Sequence, residues 1–329
     1  MKIPRRRLLH LGVGAAALPA VSRIARAQAY PTRPVSIIVP FAPGGGTDVS
    51  ARIVAEYMSR AMGQQFVVEN VSGAGGTIGT IRAMRARPDG YTLLMGHVGT
   101  HAFSVALYPN LAYKPDFDFE PIGTVFETPY FIVVRRDFPP KDLKEFIAYA
   151  KANAEKLNMA HAGVGSSTFT YGLLLNSLLG VKPAMVPFSG TALATNALVS
   201  GQVDYMCIGL VEVGPQVQGG TIKAYAIAAR ERHPALPNIP TTIEAGLPEF
   251  QAMPWVALFA PKNVPQPVLD RLTGALDRAL DDDNVRRRLA DIGGAIPVKT
   301  KRGQQPLAAL VKSEIARWRP IIEAATKGE

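Results

Sequence analysis

Two hydrophobic periods alternate along the chain. Short apolar runs of strand length are separated by longer stretches in which apolar residues recur every three or four positions, as on one face of a helix. The strand candidates are Val35–Phe41, Gln65–Glu69, Tyr91–Met95, Ile122–Phe126, Phe131–Arg135, Leu157–Ala160, Ala184–Phe188, Val203–Ile208, Ala224–Ala228 and Trp255–Ala260. The helix candidates include Thr47–Met62, Ile78–Arg85, Leu143–Asn153, Thr168–Leu179, Leu193–Ser200, Pro267–Asp281, Asn284–Ile292 and Gly303–Ala325. This alternation predicts an α/β fold with mainly parallel strands.

Four of the apolar runs pass directly into a turn rich in Gly, Ser and Thr, and a helix-like stretch follows. The turns are Ala42–Asp48, Gly96–Thr100, His161–Ser167 and Ser189–Thr191. Each would place unpaired backbone N–H groups and small hydroxyls at a helix N-terminus, where the partial positive charge favours an anion. Several such termini that converge on one crevice would form a receptor for a carboxylate or a phosphate. No equally clear catalytic motif accompanies them.

Two segments are candidates for crossings between lobes. One is the paired extended segment from Ile122 to Arg135, which Pro129 interrupts, and the other is the Pro-rich region between Ala228 and Pro254. We therefore predict that residues 28–127 form the first part of lobe 1 and residues 128–250 form lobe 2. Residues 251–329 would return to lobe 1 with the C-terminal helices. A ligand would then lie between the lobes, at the carboxyl ends of the strands.

Residues 1–27 have the pattern of an export signal. A basic head with Arg5, Arg6 and Arg7 precedes an apolar run from Leu8 to Ala20, and Ala25-Arg26-Ala27 supplies the small-x-small cleavage pattern. The apolar run is shorter than the roughly 20 residues of a membrane span. The Arg pair is compatible with twin-arginine export and with ordinary secretion. We expect a soluble protein of the periplasm.

Charge and cysteine content argue against several other classes of protein. The formal net charge of +10 falls to +4 without residues 1–27, and Arg286–Arg288 lies beside Asp281–Asp283, as on a solvated helix face. Nucleic-acid binding is therefore not expected. Cys207 is the only cysteine, so no intramolecular disulfide can form. The glycine spacing of Gly73–Gly79 does not match a dinucleotide loop, and we predict no cofactor.

Three histidines lie in or near the Gly-rich turns. They are His97, His101 and His161, and at least one of them is expected to contact a ligand. Their spacing matches no local metal motif, so no metal site is predicted. The alternative functions are a secreted α/β enzyme that uses one of these histidines as a base, and a receptor that serves a signalling partner.

The order of several motifs resembles one known family, the substrate-binding receptors of tripartite tricarboxylate transporters, also called Bug receptors. The resemblance is carried by Pro40–Asp48, Val68–Asn70, Gly73–Gly76, Pro88–Leu94, Val186–Phe188, Gly201–Val203, Pro240–Thr241, Glu244–Pro248, Trp255 and Leu258–Pro261. It implies a two-lobed periplasmic binding protein fold that closes on a small carboxylate. It also implies delivery of that ligand to integral membrane permease subunits, and we expect a monomer that is not an enzyme.

The resemblance also implies which residues bind the ligand. Together with the turns it gives Phe41, Ala42, Gly44, Gly45, Gly46, Asp48, His97, Thr100, His161, Gly163, Ser166, Ser167, Thr168, Ser189 and Thr191. The chain departs from the family pattern in lobe 2, where Phe169 replaces a frequent His, Ser189 a frequent Lys and Cys207-Ile208-Gly209 a frequent aromatic-Asp-Asn step. These departures remove polar groups. They suggest a ligand with a carboxylate at one end and an apolar or aromatic body.

Overall fold

The computed structural model describes residues 30–326, which form ten strands and ten α-helices. The strands are β1 (Val35–Val39), β2 (Phe66–Asn70), β3 (Thr92–His97), β4 (Phe119–Glu127), β5 (Tyr130–Arg135), β6 (Asn158–His161), β7 (Ala184–Pro187), β8 (Tyr205–Gly209), β9 (Ile222–Ile227) and β10 (Trp255–Pro261). The helices are α1 (Gly46–Met62), α2 (Thr77–Met84), α3 (Ser104–Leu107), α4 (Leu143–Asn153), α5 (Ser167–Leu179), α6 (Thr191–Val199), α7 (Leu210–Gln218), α8 (Gln266–Asp281), α9 (Asp283–Asp291) and α10 (Gln304–Thr326). The export signal predicted for residues 1–27 lies outside the described residues.

The strands form two five-stranded sheets with the same internal plan. Sheet 1 has the order β2-β1-β3-β10-β4, and sheet 2 has the order β7-β6-β8-β5-β9. In sheet 1, β1 is parallel to β2 and β3, whereas β10 is antiparallel to β3 and β4. In sheet 2, β6 is parallel to β7 and β8, whereas β5 is antiparallel to β8 and β9.

The strands are mainly parallel, as predicted, because four of the five strands in each sheet run in the same direction and only β10 and β5 run against them. The reason for the two exceptions is topological. The chain leaves sheet 1 at the end of β4 and enters sheet 2 as β5, and it returns from β9 to sheet 1 as β10. A strand that arrives from the other sheet begins at the edge where its neighbours end, so it runs in the opposite direction. Local periodicity carries no information on which strands arrive in this way.

All ten predicted strands are present with ends within three residues of the predicted ones, but the helices α3 and α7 were not predicted. The sequence of α7 contains Pro215, which has no backbone N–H to donate and disfavours a helix interior. The helix forms nevertheless, and its apolar residues Leu210 and Val213 are buried in the core of sheet 2. Tertiary burial thus outweighs the local cost of one proline. None of the helices in residues 30–326 is both long enough and apolar enough to cross a membrane.

The two connections between the sheets lie side by side. The amide of Thr128 donates to the carbonyl of Pro254 at 3.0 Å, and the amide of Tyr130 donates to the carbonyl of Ala252 at 2.9 Å. The amide of Ala228 also donates to Tyr130, at 2.8 Å. Both connections fall in the segments where lobe crossings were predicted. The lobe boundaries at residues 127/128 and 250/251 stay a prediction.

A buried aromatic cluster joins the two sheets at a third place. Phe103 precedes α3 on the side of sheet 1, Tyr171 belongs to α5 on the side of sheet 2, and Trp318 belongs to α10. Their ring centroids are 4.8–5.4 Å apart, and each pair packs edge to face. The Trp318 Nε1 donates to Glu314 at 3.0 Å, so the polar edge of the indole is satisfied.

Trp318→Ala should remove this junction. The side chain is only 1% exposed, and replacing a buried Trp by Ala costs about 3–5 kcal/mol of unfolding free energy because a cavity remains. Denaturant unfolding measures this loss. The exposed neighbour Arg319 provides the matched control on the same helix, and Arg319→Ala should change the unfolding free energy by no more than about 0.5 kcal/mol. Equal effects of the two substitutions would show that the cluster does not hold the sheets together.

Candidate functional site

A cleft lies between the two sheets, at the carboxyl ends of their parallel strands. Ten of the predicted site residues line it, namely Phe41, Ala42, Gly45, Gly46, Asp48, His97, Ser166, Ser167, Thr168 and Thr191. They come from the turns that follow β1, β3, β6 and β7, which are far apart in sequence. The topology therefore brings these residues together, as the crevice of an open α/β sheet does.

The turn after β1 is held by a single carboxylate. Asp48 is 3% exposed, and its Oδ2 accepts hydrogen bonds from the amide of Gly44 at 2.9 Å and from Nε of Arg52 at 3.1 Å. The Oδ1 atom accepts from Arg52 at 2.9 Å and from Asn70 at 2.9 Å. Burial by itself would raise the pKa of Asp48, but these hydrogen bonds and the Arg52 charge outweigh it and lower the pKa. Asp48 is thus an ionised structural anchor of the turn.

The turn after β6 presents a helix N-terminus to the cleft. Ser166 is the N-cap of α5, and its Oγ accepts from the amide of Phe169 at 3.2 Å. The amides of Ser167 and Thr168 lie in the first turn of α5, so helix geometry leaves them without intrahelical acceptors. The Ser167 hydroxyl is hydrogen-bonded to the hydroxyl of Tyr130 at 2.7 Å. This end of the cleft therefore offers amide donors to an anion.

His97 lines the cleft as a neutral group. Its Nδ1 accepts from the amide of Gly99 at 2.7 Å, so the proton of the neutral ring lies on Nε2. Burial lowers the pKa of His97 to about 4, and the ring stacks on Phe41 with centroids 4.4 Å apart. His97 can donate one hydrogen bond. It does not have the exposed basic nitrogen and the neighbouring nucleophile that a general base would need.

Other predicted residues lie outside the cleft lining. Thr100 is fully buried, and its hydroxyl bonds the backbone of His97, while His161 is buried against Phe169 with ring centroids 4.9 Å apart. Gly163 and Ser189 border a neighbouring cavity rather than the cleft. Gly44 contributes only its amide bond to Asp48. These residues support the turns.

His101 likewise does not reach the cleft. It is fully buried and stacks on Phe259 with centroids 3.9 Å apart, and burial lowers its pKa to about 3. Of the three histidines near the turns, the structure places His97 alone against the cleft, within the described residues.

Several cleft residues were missed by the sequence analysis. The apolar ones are Phe126, Val211, Pro254, Val256 and Ile292, and the polar ones are Thr128, Tyr130 and Glu212. Phe126, Thr128, Tyr130 and Pro254 belong to the sheet connections, whose cleft position follows only from the topology. Glu212 could have been found, since it is a single acid within the apolar stretch Leu210–Val213 directly after a buried strand.

The two sides of the cleft touch at both of its edges. At one edge the amide of Gly46 donates to Glu212 at 3.1 Å, and at the other the Tyr108 hydroxyl bonds the carbonyls of Ala74 at 3.1 Å and Val164 at 2.8 Å. The backbones approach so closely there that a Cβ on Gly75, which has φ of +62°, would lie 2.0 Å from the carbonyl of Val164. Only glycine fits this contact. The described conformation is therefore closed.

Comparison with known proteins is consistent with this geometry. Residues 50–326 match the family described as tripartite tricarboxylate transporter family receptor. A UPF0065 protein from the TAR-I ttuE-ttuC' intergenic region of Agrobacterium vitis is 40% identical over 305 residues, which are 92% of this chain and 88% of that protein.

Two solved structures are similar over almost their whole length. MatC of Rhodopseudomonas palustris with bound malate has a TM-score of 0.86 and 49% identity, with 89% of this chain and 100% of that chain covered. The periplasmic binding protein BugD has a TM-score of 0.86 and 41% identity, with 90% and 99% covered. The predicted α/β fold of the periplasmic binding proteins and the resemblance to the Bug receptors are confirmed.

Asp48→Asn should weaken the first turn in a pH-dependent manner. Because the folded-state pKa of Asp48 lies below its ordinary value, its contribution is present above the unfolded pKa of about 3.9 and is lost as the pH falls through the folded pKa. The variant should unfold with about 1–3 kcal/mol less free energy at pH 7, because charge-assisted bonds are lost. Denaturant unfolding at neutral and acidic pH tests this.

The exposed residue Asp116 supplies the control for Asp48, since Asp116→Asn should leave the unfolding free energy unchanged at each pH. If Asp48→Asn lowers the unfolding free energy by the same amount at pH 7 and at pH 3, the conclusion that an ionised Asp48 anchors the turn is wrong.

Proposed function

The chain belongs to the tripartite tricarboxylate transporter family of receptors, and from this premise we propose that it captures a small carboxylate in the cleft between its sheets. One observation carries this proposal, namely that the N-termini of α1, α5, α6 and α7 all face the cleft. Among the described residues that line it there is no Lys or Arg. Backbone amides, hydroxyls and helix dipoles are thus the available anion donors. MatC, a relative at 49% identity, was solved with malate, which is a dicarboxylate.

Capture would proceed by closure of the two sides of the cleft. The closed conformation brings the turn after β1 against the turn after β6, so a carboxylate bound to the amides at the start of α5 would also contact the opposite side of the cleft. A ligand that makes these contacts only in the closed form shifts the equilibrium towards that form. The paired connections at Thr128 and Pro254 would act as the hinge.

The ligand would have an apolar body. Phe41, Phe126, Val211, Val256 and Ile292 contribute apolar surface to the cleft. Burial of hydrocarbon or aromatic ligand surface against apolar walls stabilises the complex. The same walls offer no hydrogen-bond donor to the additional carboxylates of a tricarboxylate such as citrate. A monocarboxylic or aromatic acid therefore fits these walls better than citrate does.

The described geometry favours a receptor over an enzyme. The fold and the family are those of solute-binding receptors. His97 is neutral with Nδ1 already bonded, and His101 and His161 lie in the core. The bound carboxylate would then be delivered to the integral membrane subunits of a tripartite transporter by the receptor as a monomer.

Gly45→Ala should impair ligand binding without strain in the backbone. Gly45 has φ of −81°, and an added Cβ would lie 3.2 Å from Oγ1 of Thr191 and 3.7 Å from Oε1 of Glu212, within the cleft. Isothermal titration with the best ligand from a thermal-shift screen of mono-, di-, tricarboxylic and aromatic acids should show at least about tenfold weaker binding.

The matched control for Gly45 is Gly274→Ala in α8, where a Cβ would meet only the end of the Arg278 side chain at 3.5 Å. This variant should bind normally. If both variants bind as the wild type does, or if no acid in the screen stabilises the folded protein, the proposed function is wrong.

We further propose a periplasmic location that depends on residues 1–27. Expression of the full chain in a Gram-negative host should yield a periplasmic protein that begins at Gln28, and N-terminal sequencing of that fraction measures this. Replacing Arg6 and Arg7 by Lys should block export if the twin-arginine route is used and leave it intact if it is not. Retention of the uncleaved chain in the cytoplasm would contradict the proposal.

A further inference from the structure

Three helix N-termini meet at one side chain of the protein itself. The Oε1 atom of Glu212 accepts from the amide of Gly46, the first residue of α1, at 3.1 Å. The Thr191 Oγ1 atom at the start of α6 lies near this carboxylate, because a Cβ on Gly45 would be 3.2 Å from Thr191 Oγ1 and 3.7 Å from Glu212 Oε1. Glu212 itself lies in the first turn of α7, and its Oε2 would be 3.2 Å from a Cβ on Gly209. The position between these three helix N-termini, which favours an anion, is thus occupied by the carboxylate of Glu212.

The donors of the opposite turn are different. Ser167 and Thr168 at the start of α5 line the same cleft, and the Oγ atom of Ser166 accepts the amide of Phe169 rather than the amide of either of them. The cleft therefore has two anion positions, of which Glu212 fills the one at α1, α6 and α7. The position at α5 stays available to a ligand.

We propose that Glu212 determines the charge of the ligand, so that the cleft selects acids with a single carboxylate over dicarboxylic acids of the same length. This inference rests on the proposed function, because it assumes that a carboxylate binds at α5. A second ligand carboxylate would have to lie beside Glu212 or displace it. In the first case like charges meet in a closed cleft, and in the second Glu212 loses its hydrogen-bond donors while it stays in the cleft.

No nearby cation would compensate the extra charge. The described residues that line the cleft include no Lys or Arg, and the one guanidinium close to the turn, that of Arg52, is already bonded to Asp48 and Asn70. The charge of Asp48 is thus balanced by Arg52, whereas Glu212 has only amide and hydroxyl donors beside it. A monocarboxylate adds one negative charge at α5 and leaves the Gly46–Glu212 contact intact.

The pH dependence gives the inference a distinct signature. Burial raises the pKa of Glu212 to about 7, although the amide of Gly46 and the nearby Thr191 hydroxyl oppose this rise. The other titratable groups of the cleft are Asp48 with a lowered pKa, His97 with a pKa of about 4, and Tyr130 with a raised pKa. None of these three changes charge between about pH 6.5 and pH 8. A fall in pH over this range therefore protonates Glu212 and should reduce its repulsion of a second carboxylate.

The test compares matched pairs of acids on three proteins. The pairs are butyrate with succinate, hexanoate with adipate, and benzoate with phthalate, and binding is measured by isothermal titration at pH 8 and pH 6.5. The proteins are the wild type, Glu212→Gln and Glu249→Gln. Gln keeps the shape of Glu212 and an oxygen that can accept from Gly46, but it has no charge. Glu249 is an exposed acid away from the cleft lining.

The wild type and Glu249→Gln should prefer the monocarboxylate of a pair at pH 8. Glu212→Gln should shift the ratio of affinities towards the dicarboxylate by at least about tenfold. Lowering the pH to 6.5 should shift the wild-type ratio in the same direction by several-fold and leave that of Glu212→Gln unchanged. Thermal unfolding of Glu212→Gln checks its fold, and Glu212→Ala, which should also shift the ratio, replaces it if the Gln variant is unfolded.

The outcomes separate the two proposals. If the wild type binds these acids but the ratio is the same with and without the Glu212 charge, the inference about Glu212 is wrong and the carboxylate receptor stands. A wild type that already prefers the dicarboxylate at pH 8 also overturns it. If no acid binds any of the folded proteins, the proposed function fails and the inference fails with it.

Discussion

The architecture depends on two backbone crossings that hydrogen-bond to each other. Because Thr128 pairs with Pro254 and Tyr130 pairs with Ala252, the chain passes between the sheets at one place in both directions. This constraint makes β5 and β10 antiparallel to their neighbours and brings the carboxyl ends of the other strands to one cleft. The cleft residues Phe126, Thr128, Tyr130 and Pro254 belong to these crossings or their flanks. The same feature thus sets the strand direction and one wall of the cleft, and it is the proposed hinge.

Two carboxylates at the start of α1 illustrate how surroundings decide the role of a side chain. Asp48 is bonded to the guanidinium of Arg52, and its pKa is lowered, so it is a neutralised anchor for the turn. Glu212 reaches the same helix from the other side of the cleft, but only the amide of Gly46 and the hydroxyl of Thr191 meet it, and burial raises its pKa to about 7. Residue type alone does not distinguish the two, whereas the presence of a cation does.

The two halves are also joined away from the paired connections. The cluster of Phe103, Tyr171 and Trp318 lets α10 contact both halves, so the C-terminal helix packs on the core near β4 as well as on α5. Large rings that pack edge to face in a closely packed core cannot shift by small amounts without losing their contacts. The proposed closure would therefore have to pivot at the paired connections and leave this cluster packed.

The sequence by itself determined the positions of all ten strands, the Gly-rich turns and the family, because periodicity, turn chemistry and motif order are local or linear properties. It also predicted ten residues that line the cleft, since a turn after a parallel strand has a known place in such folds. Only the tertiary structure decided that the sheets are mixed, that α7 forms despite Pro215, and that Thr100 and His161 are buried. It alone placed Glu212 against Gly46, a contact across 166 positions of the chain. Partners so distant in sequence are set by the packing of whole elements, which no local pattern records.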